Sequence, residues 1–93
     1  MIEIFEDWRG CYEHGFVYYH LKYKNSSQMI NGNRSIIYFE SKYNERIVFL
    51  YDGLFLPSVL CEDNCYIIKI KINKGEYYLE DVLYNTTTKT YLL

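Results

Sequence analysis

Apolar and polar positions along this chain alternate as they do in β-strands closed by turns, most clearly over residues 66–72. Tyr66, Ile68, Ile70 and Ile72 interleave with Ile67, Lys69 and Lys71. A period of two puts the first set on one face and the lysines on the other, which fits a half-buried strand and no helix. Asn73, Lys74, Gly75 and Glu76 then supply a turn with a glycine available for positive φ, and residues 77–84 return as the partner strand. Ile47, Val48, Phe49, Leu50 and Tyr51 are apolar at every position, which predicts a central strand covered on both faces. Asp52 and Gly53 follow as a tight-turn pair leading into a second hairpin through Leu54, Phe55 and Leu56. Pro57 removes a ladder donor and marks a sheet edge or a bend there.

Residues 16–23 and 36–41 read as further strands. The segment 24–35 between them is rich in Asn, Ser and Gly and reads as an exposed loop. A last hairpin turns over residues 85–89 and ends with residues 90–93. At the start, Ile2, Phe5, Trp8 and Tyr12 fall at helical spacing, while Ile2 and Ile4 alternate like a strand. The reading adopted is a strand through Glu6, then a turn or short helix over residues 7–10. The expected fold is all-β, with at most that one short N-terminal helix. It is a single domain over residues 1–93, an antiparallel sheet of about six to eight strands forming a small barrel or a sandwich.

Composition supports a folded core: 49% of the 93 residues are hydrophobic and 24% charged, enough to pack one domain without disulfides or metal. Net charge is −2, with basic and acidic residues mixed along the chain. Nucleic-acid binding draws on an excess of Lys and Arg, and this chain has none. A dense acidic face, as a DNA-mimicking inhibitor needs, is not supported either. Usage is skewed toward 12 Tyr, 10 Ile, 7 Asn and 7 Lys, with no Ala and one Pro. Those preferred residues have A/T-rich codons, which points to an A/T-rich genome, bacterial or from a phage or other mobile element, and discounts the tyrosines as a functional signal. Residues 1–7 are acidic and lack the basic start and continuous apolar core of a secretory signal, so a cytoplasmic location is expected, with no membrane partner. The stretch 47–61 is interrupted by Asp52, Gly53 and Pro57 and is too short to cross a bilayer.

The sequence has no Gly-rich phosphate loop, nucleophile elbow or paired-histidine zinc motif. His14 and His20 are its two histidines. His20 alternates with Tyr18 and Lys22 on one strand face, which makes His20, Tyr18 and His14 the candidates for general acid–base work. Cys11 and His14 lie three apart and Cys61 and Cys65 four apart, together one Cys₃His set of the size that a closed tetrahedral zinc site needs. The spacings are looser than Cys-x-x-Cys, and the preferred reading is reduced thiols packed as small apolar groups, with no cofactor. For recognition, Tyr18 and Tyr19 fall on opposite faces of one strand, as do Tyr77 and Tyr78, so one ring of each pair should point outward. Asn31 and Arg34 in the 24–35 segment and Glu62 and Asp63 in an acidic turn complete the candidate binding residues.

The function expected from these features is a small non-enzymatic protein that occupies a partner protein's surface. A mobile-element or phage-encoded inhibitor of a host or defence enzyme, or an immunity protein that neutralises a toxin, fits that description. The alternatives are a small nuclease or hydrolase using His20 or His14, and a nucleic-acid-binding β-barrel. An exposed edge strand offers a route to a homodimer.

Overall fold

The computed structural model describes residues 11–13, 15–28, 34–52 and 59–92. They form seven strands: β1 Cys11–Glu13, β2 Phe16–Gln28, β3 Arg34–Glu40, β4 Arg46–Asp52, β5 Cys65–Asn73, β6 Glu76–Asn85 and β7 Thr90–Tyr91. There is no helix among the described residues, and so none long and apolar enough to cross a membrane. The expected strand and short helix over residues 1–10, and the hairpin through Gly53 and Pro57, lie outside them.

Pairing runs β1-β2-β3-β4-β6-β5, and a further β2–β5 pairing closes the circuit into a small barrel of β2, β3, β4, β6 and β5. β2 makes this possible because it is long. One of its edges pairs with β1 over Phe16–Tyr18 and with β3 over Lys22–Gln28, while its other edge pairs with β5 from Phe16 to Lys22. A bulge between Tyr23 and Asn25 bends the strand between these partners. The ladders are antiparallel except for β4–β6, which run parallel and meet at one residue pair, Leu50 with Tyr78. That seam is the loosest part of the barrel wall.

The alternation holds as far as Ile70: Tyr66, Ile68 and Ile70 are buried, Ile67 is buried as well, and Ile72, expected on the same face, is instead 38% exposed beside the turn. The interior is filled by Val17, Tyr19 and Leu21 from β2, Ile37 and Phe39 from β3, Phe49 from β4, and Leu79 and Val82 from β6. Tyr19, Phe49, Phe39 and Tyr23 form a chain of ring contacts through it, with centroids 5.4, 5.8 and 5.8 Å apart. The turn between β5 and β6 has Lys74 at φ 53° and Gly75 at φ 78°, the two positive values of a type I′ hairpin.

Two expectations are corrected. Residues 24–28 are not loop: past the bulge, Asn25, Ser26, Ser27 and Gln28 pair with Tyr38, Ile37, Ile36 and Ser35. Their weak strand propensity is overridden by a partner strand that must be paired to be buried. β4 is covered on one face and not on both. Phe49 is buried, but Val48 on the outer face is 47% exposed.

Candidate functional site

Opposed residues of an antiparallel pair share a face, so the β3–β4 register defines the outer surface residue by residue. Arg34 lies opposite Asp52, Ile36 opposite Leu50, Tyr38 opposite Val48, and Glu40 opposite Arg46. The centre is therefore apolar. Ile36, Tyr38 and Leu50 are half-buried, and Val48 is exposed. Tyr78 of β6 extends the patch beside Leu50.

Each end of this strip carries an arginine seated on a tyrosine. The Arg46 guanidinium carbon lies 4.2 Å from the Tyr38 ring centre, and that of Arg34 lies 5.5 Å from the Tyr78 ring centre. Cation–π contact holds a long side chain against the surface and lowers the entropy lost when a partner binds. Arg34 also faces Asp52 at 4.0 Å, the outer limit of an ion pair. Beside it the β4–β6 seam opens into a groove of about 280 Å³ lined by Arg34, Asp52, Lys71, Tyr78 and Glu80. A second groove of about 200 Å³ lies at the other end, lined by Lys24, Tyr38, Glu40 and Arg46. The Tyr78 hydroxyl donates to Glu76 at 3.2 Å, and desolvation followed by that bond pushes its pKa up against the opposing pull of Arg34.

The candidate residues from the sequence are placed as follows. Tyr18 and Tyr78 point outward, and Arg34 joins Tyr78 in the same groove. Tyr19 is a correction: alternation along β2 turns it into the core, where it is 6% exposed, packs on Phe49, and has its hydroxyl pKa raised chiefly by burial. Tyr77 opens at the end of the barrel, 42% exposed, opposite Ile72. Glu62 and Asp63 form an exposed turn, and Asp63 accepts a hydrogen bond at 2.6 Å from the ammonium of Lys24, a residue that lines the second groove. That bond lowers the Asp63 pKa and raises that of Lys24. Asn31 and His14 lie outside the described residues.

His20 shares the outer face of β2 with Tyr18 and Lys22, and one ring nitrogen hydrogen-bonds to a turn. Its Nε2 is 2.8 Å from the Thr86 hydroxyl, which in turn donates to the Cys65 carbonyl at 3.1 Å. The Nε2–H tautomer is the one that satisfies both bonds at once. Among the described residues no three His, Cys, Asp or Glu side chains cluster as metal ligands. Cys61 and Cys65 are free thiols. Cys11 pairs with Tyr18 across one edge of β2, and Cys65 pairs with Lys22 across the other. Two strand spacings and the rise between those positions set their backbones roughly 16 Å apart on a flat sheet, so the register does not bring Cys11 and Cys65 together.

Sequence reasoning missed the β3–β4 strip, because the signal lies in a pairing register and not in any run. It also missed a second cluster. On the outer face of β2 and β5, Lys71 lies opposite Phe16 and Lys69 opposite Tyr18, with the Lys69 ammonium 4.0 Å from the Phe16 ring centre. Comparison with protein-family models, with curated proteins and with solved structures returned no match.

Proposed function

We propose that this chain is a non-enzymatic binding protein that presents the outer face of β3 and β4 to another protein. The observation carrying this reading is the open apolar centre at Val48, Tyr38, Ile36 and Leu50, framed by Arg46 on Tyr38 and Arg34 on Tyr78. Tyrosine and arginine with an apolar centre and a charged rim is the composition favoured at protein interfaces and at their energetic hot spots. Balanced charge around the strip favours a protein partner over a polyanion. An inhibitor of a host or defence enzyme, or an immunity protein against a toxin, works by this kind of surface occupation. The test is recovery of a stoichiometric partner from the native host with tagged protein. Val48→Asp and Arg34→Glu should lose the partner, while His20→Ala keeps it; recovery indifferent to both face variants would sink the reading.

A second reading has its own observation, the Lys69 ammonium on the Phe16 ring with Lys71 opposite Phe16 in the β2–β5 register. Aromatic rings interleaved with lysines stack bases and neutralise phosphates in single-stranded nucleic acid. It predicts oligonucleotide affinity at low salt that falls steeply as salt rises. Absence of binding at low salt removes it.

A further inference from the structure

The β3–β4 face has a charge pattern that matches itself. β3 begins with Arg34 and ends with Glu40, and antiparallel β4 begins with Arg46 and ends with Asp52. The register therefore sets an opposite-charge pair at each end of the ribbon, with the signs exchanged between the strands. The four corners alternate plus and minus around an apolar centre of Ile36, Leu50, Tyr38 and Val48. Turning such a face over about an axis that crosses the strands brings the Glu40 corner onto Arg34 of a second copy. The same rotation brings Arg46 onto Asp52, and all four corners meet an opposite charge. Ile36 then lies against Tyr38 of the second copy, and Leu50 against its Val48.

We propose that two copies of this chain pair face to face through the outer surface of β3 and β4, around a two-fold axis lying across the strands. Stacked sheets sit about 10 Å apart, a gap that facing arginine and carboxylate side chains close together. A two-fold interface must be complementary to itself, and this condition selects the face. The outer face of β2 and β5 fails it, since Lys22, Lys69 and Lys71 include no carboxylate of their own strands to meet them. Exposure supports the choice, because Val48, a β-branched apolar residue at the middle of the strip, is left 47% open. The proposed contact uses a face and not an edge: the described strands outside the closed circuit, β1 and β7, are three and two residues long.

This inference rests on the reading of the same face as a protein-binding surface and names a second copy as its occupant. The test is sedimentation equilibrium of the full chain up to about 1 mM, with circular dichroism confirming that each variant is folded. The wild type should form a dimer, and Val48→Asp should weaken self-association at least about tenfold. Arg34→Glu and Glu40→Arg should each weaken it about tenfold alone, because like charges then meet twice. An equal mixture of these two single variants should recover wild-type strength as a heterodimer, since positions 34 and 40 are again opposite in sign at both contacts. A monomeric wild type at every concentration overturns the proposal, as does a dimer indifferent to Val48→Asp or a mixture that does not recover. If the wild type is monomeric while Val48→Asp still loses a host partner, self-pairing falls and the binding-surface reading stands.

Discussion

Tyr66 offers the sharpest test of how the barrel holds the chain that enters β5. Its ring is fully buried, yet its hydroxyl makes two hydrogen bonds to backbone outside the core: it donates to the Val59 carbonyl at 2.8 Å and accepts from the Cys61 amide at 2.7 Å. Desolvation is the largest influence on this hydroxyl and pushes its pKa up, so the neutral donor form is the one held at physiological pH. Tyr66→Phe keeps the ring and deletes both bonds. Each is worth about 1 kcal/mol net. Val59 and Cys61 are exposed residues, so water reaches the groups left behind and the larger penalty of a sealed, unsatisfied amide does not apply. The expected loss is therefore about 1–2 kcal/mol, which lowers the melting temperature of a domain this size by roughly 5–15 °C. Urea titration followed by circular dichroism gives the free energy, and native-state hydrogen exchange should show the Cys61 amide losing protection before the β5 amides do. A variant within about 0.3 kcal/mol of wild type, with unchanged exchange at Cys61, would refute the claim that this hydroxyl ties the 59–64 segment to the core.

Four further outcomes follow from local geometry. Gly75 has φ +78° with open space where a Cβ would stand, so Gly75→Ala meets backbone strain and no clash and should cost about 1–2 kcal/mol in thermal unfolding. Lys74→Asn, which places the preferred Asn-Gly pair in the same type I′ turn, should be neutral or stabilising by up to about 0.5 kcal/mol. The Lys24–Asp63 pair lowers one pKa and raises the other. Its contribution is thus present between the two unfolded values, lost on the acid side as pH falls through the depressed Asp63 pKa, and lost on the alkaline side as pH rises through the elevated Lys24 pKa. Asp63→Asn should flatten the acid limb of stability below about pH 4 and remove the salt sensitivity of the pair; an unchanged acid limb counts against the contact. Neutral His20 with its proton on Nε2, readable from its ring ¹⁵N shifts, leaves the Thr86 hydroxyl free to donate to the Cys65 carbonyl; an Nδ1–H tautomer would make Thr86 the donor to His20 and break that second bond.

The hairpin of β5 and β6 was legible because its information is local: alternation in Tyr66, Ile68 and Ile70, lysines between, and a glycine where φ must be positive. The extent of β2 was not. Asn25, Ser26 and Ser27 carry turn chemistry, and what makes them strand is pairing with Tyr38, Ile37 and Ile36 across a bulge. The closing of the circuit is illegible for the same reason, since β2 meets β5 and β4 meets β6 through contacts distant in sequence. The candidate site divides likewise. Arg34 and Tyr78 were readable as individual residues, but the 5.5 Å stack between them depends on the β4–β6 seam.

The outer face of β4 is best judged against that of β5, because both strands belong to one barrel and one chain of skewed composition. β5 resolves its two-faced problem in the ordinary way: Tyr66, Ile68 and Ile70 face the core, and Lys69 and Lys71 face out. β4 has an equally complete inner set in Ile47, Phe49 and Tyr51, so burial asks nothing more of it. Its outer set nonetheless reads Val48 and Leu50 where lysine would serve solubility better, and an exposed apolar strip has a cost in aggregation unless something covers it. Codon bias does not account for the difference, since it acts on both strands alike and favours lysine as much as isoleucine. Nor does it place arginine. The chain has 3 Arg against 7 Lys, and both arginines within the described residues lie on tyrosine rings at the ends of this one strip. Two strands under the same compositional pressure thus treat solvent differently, and the scarcer cation gathers where the apolar residues are left open. A strip that must be covered, and whose corner charges complement their own rotated image, has its simplest cover in a second copy of itself.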